Sequence, residues 1–134
     1  MDIVYICLLL NVILIYINYS IVSYFASQLP GGTNNKYPRI QQRQLEGIGQ
    51  RAVGSHYNGF EALTVFATGV VVAIHSGVDP YVISLFAIVQ IVSRVFYMIF
   101  YLANLDILRS AVWTIGFLAS MGLFVWQYIS KFLK

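Results

Sequence analysis

Apolar residues fall in four long blocks separated by polar breaks. The first block runs from Ile3 to about Ser27 and stops at Leu29-Pro30-Gly31-Gly32. The second runs from about Ser55 to Val78, where Ser76-Gly77 and Asp79-Pro80 close it. The third spans Tyr81 to Ala103, and the fourth Ile107 to about Leu133. Each block reaches the roughly 20 residues that an α-helix needs to cross a hydrocarbon core. A transmembrane β-strand would alternate in polarity and stop after about ten residues, so runs of this length predict helices. The pattern therefore predicts an all-α integral membrane protein, one domain over residues 1–134 built as a four-transmembrane-helix bundle. Its helices are expected near 3–27, 55–78, 81–103 and 107–133, with both chain ends on the same side of the membrane.

Composition agrees with that solvent. Only 10% of the 134 residues are charged and mean hydropathy is +0.74, whereas a soluble domain carries about 25% charged residues. Asp2 is the only early charge and the first apolar run is long, which reads as a retained helix and not as a cleaved leader. The single Cys7 excludes an intrachain disulfide and fits a small buried hydrophobe. A net charge of +3 with no basic, aromatic-interleaved stretch gives no argument for nucleic acid. His56 and His75 have no ligand-type neighbour at helical spacing, so no metal site is expected.

Loop 30–54 is the one long connection and holds Lys36, Arg39, Arg43 and Arg51, half of all the basic residues. The positive-inside rule assigns it to the cytoplasm, with Lys131 and Lys134 at the far end counting against that orientation. Gln41–Gln50 is compatible with a helix that begins before the second span enters the membrane. Ser55/Gly59 and Gly116/Ser120 are small-xxx-small pairs that would let helices approach closely.

Polar residues inside the spans are not scattered. Arg51, Gly54, Asn58 and Glu61 recur at steps of three or four, one face of a helix. Gln90, Arg94, Tyr97, Tyr101 and Asn104 do the same on the third span, and Arg109, Trp113, Gly116 and Ser120 on the fourth. Arg94 falls roughly 14 Å from the cytoplasmic end of its span, and Glu61 roughly 9 Å from Ser55, at 1.5 Å per residue. The set thus outlines a polar cavity in one leaflet, open to the cytoplasm. A charge near the bilayer centre costs about 2.5–3.5 kcal/mol on insertion scales. A direct charge-assisted hydrogen bond between Arg94 and Glu61 is therefore expected. Tyr97, Tyr101 and Trp113 equally suit interfacial anchors, and Arg109 a snorkelling side chain.

Three stretches in order carry a family resemblance. Arg51-Ala52, then five residues, then Asn58-Gly59-Phe60-Glu61 resembles the helix 2 signature of the MAPEG proteins, the membrane-associated proteins in eicosanoid and glutathione metabolism. Arg94-Val95-Phe96-Tyr97 with Tyr101 resembles their helix 3, and Leu108-Arg109-Ser110 with Trp113 their helix 4. The likeness covers essentially the whole chain and is nearest to the short bacterial members. It implies a homotrimer in a bacterial inner membrane that binds glutathione between subunits on the cytoplasmic side. It implies a transferase or peroxidase acting on a lipophilic small-molecule electrophile drawn from the surrounding lipids. Residue by residue, it implies that Arg51, Asn58, Glu61, Arg94, Tyr97 and Tyr101 bind glutathione and that Arg109 and Ser110 lie nearest the thiol.

The chain departs from the glutathione-using members at Gly54 and Tyr57, where those tend to carry arginines, and at Trp113, where some carry tyrosine. A non-catalytic lipid-binding or scaffold trimer is the alternative these departures favour. A small four-helix multidrug-type transporter is a third reading, but such proteins carry their membrane glutamate on helix 1, where this chain has Asn11 and Asn18.

Overall fold

A computed structural model describes residues 1–132; Leu133, Lys134 and the side chain of Lys131, used above for the last span and the topology, lie outside it. Four helices are long and apolar enough to cross a membrane. They are α1 (Asp2–Ser27), α3 (Gly47–His75), α4 (Pro80–Leu102) and α5 (Asp106–Phe132), with the short α2 (Pro38–Gln42) in the long connection. The chain is an all-α, multi-pass membrane bundle. In it α3 and α4 form the middle pair, with α1 packed on one side of them and α5 on the other.

Local chemistry sets the helix ends. At the close of α3, Gly77 takes φ +69°, its N–H bonds Ile74 O, and the Val78 N–H reaches back to Ala73 O at 3.0 Å. This is a Schellman motif, and the buried Val78 and Ala73 of the same core cluster complete it. Asp79 then caps α4, its Oδ1 accepting the Tyr81 N–H at 2.7 Å, with Pro80 in the first turn where no N–H is needed. The close of α4 repeats the motif with Asn104 at φ +60° and Leu105 N–H on Phe100 O. Asparagine substitutes for glycine there because its short polar side chain tolerates the left-handed region.

The connection between α1 and α3 is tied down by one side chain. Buried Gln41 donates to Gly32 O at 2.6 Å and accepts the Asn34 N–H at 2.9 Å. Residues 41–50 do not form one helix. The chain leaves the helical region after Arg43, Glu46 is extended, and Gly47 opens α3 at φ +55°. Helix α3 nevertheless starts well before Ser55, because Gly49 lets it lie directly against Phe25 of α1.

Both small-residue pairs are close approaches. A Cβ on Gly59 would come within 2.7 Å of Ile15 on α1, and one on Gly116 within 3.1 Å of Ser93 on α4. The interior is layered along the bundle. One apolar cluster, with Val4, Cys7, Phe66, Ile83 and Leu123, fills the end at the α3–α4 turn. A smaller one, with Val22, Ala26, Leu45 and Ala52, fills the end carrying the long connection. Between them lies a polar layer of Asn11, Asn18, Ser55, Gln90, Ser93, Arg94 and Ser120, all buried. The outer face is largely apolar, with Val71, Tyr81, Leu118 and Ile107 well exposed. Polar inside and apolar outside suits a lipid solvent, in which every buried polar group needs an internal partner.

Candidate functional site

The polar stripes of α3, α4 and α5 converge on the loop-bearing half of the bundle. Arg94, only 7% exposed, donates from Nη1 to Asn58 Oδ1 at 3.0 Å. Asn58 Nδ2 in turn donates to Glu61 Oε2 at 3.0 Å. The direct Arg94–Glu61 bond expected from the sequence is thus replaced by a relay. The reason lies in helix geometry: Asn58 precedes Glu61 by three residues on one face and is the more buried of the two. Its amide offers an acceptor to the guanidinium and a donor to the carboxylate.

The relay continues through aromatic rings. The Arg94 guanidinium lies over the Tyr97 ring at 4.1 Å from its centroid. Tyr97 and Tyr101 meet edge to face at 5.5 Å, and Arg109 lies over Tyr101 at 4.6 Å. Cation–π contacts of this kind contribute about 0.5–2 kcal/mol, more when desolvated. Six residues named from the sequence (Glu61, Asn58, Arg94, Tyr97, Tyr101 and Arg109) therefore form one continuous file across three helices. Ser110 joins its far end, since it lines an open cavity of about 480 Å³ with Tyr97, Tyr101 and Arg109. Arg51 stands apart. Its Nε donates to Leu102 O at 3.0 Å, satisfying an orphan carbonyl at the C-terminus of α4.

A second, more enclosed cavity of about 100 Å³ begins where the relay ends. Asn58, Glu61 and Arg94 form its polar wall, and Ala62, Val65 and Phe117 its apolar one. Trp113 lines both cavities. It stacks on Phe117, rings at 5.3 Å and 3° apart, so the two rings are held as one unit. Phe117 and Val65 escaped sequence reading because an apolar wall residue looks like any lipid-facing one. The only signal was the step of four from Trp113 to Phe117.

Gly54 is explained by Tyr101. Any Cβ at position 54 would collide with the Tyr101 hydroxyl, so that phenol occupies the space a side chain there would take. His56 is a cross-link between helices, its Nδ1 3.0 Å from Ile15 O and its ring against Tyr19 and Phe60. Among the described residues no group of three His, Cys, Asp or Glu is placed to hold a metal ion.

One layer deeper, Asn11 on α1 and Gln90 on α4 exchange reciprocal amide bonds of 2.9 and 3.2 Å, and Asn11 also reaches Cys7 O. Gln90 was legible as part of its stripe, but its partner was not. The available signal was the seven-residue spacing of Asn11 and Asn18, two turns of one face.

The arrangement can bind a small, highly polar molecule in an apolar setting. Two guanidinia offer anion contacts, Glu61 offers one for a cation, and the two phenols and Ser110 supply hydroxyls. Neither the curated proteins nor the solved structures include one significantly similar to this chain. The family model described as "MAPEG family" matches residues 3–129, nearly the full length and all four spans. The chain belongs to the MAPEG family.

Proposed function

We propose that this protein is a glutathione-dependent transferase or peroxidase of the membrane, acting on a lipophilic electrophile. The observation that carries the reading is the file from Glu61 to Arg109, set in an apolar bundle beside an apolar-walled cavity. Glutathione carries two carboxylates, an ammonium and a thiol. Arg94 and Arg109 suit the anionic groups and Glu61 the ammonium. A guanidinium near a thiol favours the thiolate, the nucleophilic form, and Arg109 with the Ser110 hydroxyl would supply that stabilisation in the open cavity. The lipophilic partner would reach the site from the hydrocarbon side, past Trp113 and Phe117.

The same reading includes a homotrimer with the site between subunits. Glu61 sits near the middle of α3 and is exposed on the single protomer, on a face shared with Tyr57, Thr64 and Thr68. A carboxylate facing lipid at that depth is costly, and a neighbouring copy would remove the cost. The loop's basic residues orient the open cavity to the cytoplasm, in a bacterial inner membrane.

Two features favour a second reading, a trimer that binds a lipid or a partner without chemistry. Tyr101 fills the space beside Gly54, and Trp113 offers an indole N–H in place of a hydroxyl. The test is turnover by purified protein of activated aryl halides and lipid hydroperoxides with glutathione and with other thiols. Turnover lost in Arg109→Ala supports the enzyme. Absence of conjugation or reduction with every thiol overturns it in favour of the second reading.

A further inference from the structure

Two buried side-chain atoms of the polar layer lack a hydrogen-bond partner among the described residues: Asn18 Oδ1 and Ser55 Oγ. Their residues are 3% and 1% exposed. Both line one small cavity between α1, α3 and α4, and Arg94 and Met98 line it too. Buried polar atoms are rarely left unpaired, since each costs about 1–3 kcal/mol. Two orphans facing one cavity call for a partner that can both donate and accept.

Size and charge identify it. The cavity measures about 10 Å³, the space of one water at the lower limit for occupancy and too little for chloride or a larger anion. A metal cation is excluded by the neighbouring guanidinium. The Asn18 amide N–H already serves Leu14 O at 3.2 Å, so its Oδ1 requires a donor. Arg94 requires further acceptors, having placed Nη1 on Asn58. Water alone offers two donors and two acceptors in that volume.

We propose that one water molecule occupies this cavity, donating to Asn18 Oδ1, pairing with Ser55 Oγ and accepting from Arg94. The guanidinium is then held by two partners, Asn58 on the side of the cavity shared with Glu61 and the water on the side of α1. Asn18 and Ser55 are positioning residues, and α1, which contributes nothing to the file itself, helps set its central cation.

Met98 makes the water testable, because hydroxyl radicals generated from a bound water by an X-ray pulse oxidise the side chain beside it. Wild-type protein should label Met98 strongly. Asn18→Leu, which removes the acceptor and fills the cavity with a bulkier side chain, should reduce labelling to background. Ser55→Ala, which adds no bulk, should give an intermediate loss and serves if the leucine variant fails to fold. Equal labelling of Met98 in folded wild-type protein, Ser55→Ala and Asn18→Leu overturns the proposal, as does a dry cavity in a map that resolves other internal waters.

The consequence for ligand rests on the proposed function. Glutathione should bind roughly tenfold more weakly to Asn18→Leu than to wild-type protein, the worth of one hydrogen bond to a charge. If wild-type protein binds no glutathione, the enzyme reading fails while the Met98 labelling still decides the water.

Discussion

Replacing Asn58 by alanine tests the relay most sharply, because among the described residues its amide bonds both Arg94 and Glu61. Two hydrogen bonds of 3.0 Å disappear together. Each involves a charged partner and has a typical worth of about 1.5–3 kcal/mol. The two ends do not count equally. Glu61 is exposed on the protomer, so its carboxylate can take another partner from a neighbouring copy and its end counts for less. Arg94 is 7% exposed, and stripping a buried charge of a partner costs about 3–5 kcal/mol. Its stacking on Tyr97 persists, so the lower part of that range applies and Asn58→Ala should cost about 3 kcal/mol. Glu61→Gln should cost under about 1 kcal/mol, since the glutamine carbonyl still accepts from Asn58. The assay is a double-mutant cycle on the unfolding of detergent-purified protein, pairing Arg94→Ala with Glu61→Gln. Run with Asn58 present, it should give a coupling of about 0.5–1 kcal/mol. Run in the Asn58→Ala background, the coupling should fall well below that value, leaving only the through-space attraction between the two charges. A coupling undiminished without Asn58 would show that the amide does not mediate it and would refute the relay.

Three further outcomes follow from contacts elsewhere. Gly54→Ala meets only the tip of Tyr101, so the phenol should swing away with under about 1 kcal/mol lost, while ligand affinity falls; unchanged affinity would remove Tyr101 from the site. Gly59→Ala drives a Cβ into Ile15, which is 2% exposed, and overpacking there should cost about 1–3 kcal/mol, read as a lower Tm. Asn11→Leu leaves Gln90 unpaired in the polar layer and should cost about 1–3 kcal/mol, with Gln90→Leu added on top restoring most of it; additive losses would mean the reciprocal pair contributes nothing.

The spans were legible because a membrane helix announces itself by length and apolarity alone. The early start of α3 was legible only in outline, since Gly47 and Gly49 carry no apolar signal that would fix its first residue, and the approach of Gly49 to Phe25 holds that turn in place. The polar file was legible as three stripes, because helical period places Asn58 with Glu61 and Arg94 with Tyr97. Period alone does not order side chains by depth, which is why Asn58 was passed over as the intermediary. The Asn11–Gln90 pair was half legible for a related reason. A lone asparagine in an apolar helix declares that it needs a partner but not which helix provides one. The stop of α4 was legible from the end of the apolar run at Ala103, but the part played in it by Asn104, at φ +60°, was not, because its i+3 step from Tyr101 made it look like a member of the stripe.

The central claim is that the file centred on Arg94 binds glutathione, and calorimetric titration into the folded, detergent-purified protein tests it directly, with Arg94→Ala measured beside it. The account predicts saturable binding to wild-type protein that is weakened at least about tenfold in the variant, as expected when a buried charge contact to a carboxylate is removed. No binding to wild-type protein, or equal binding to both, would contradict it.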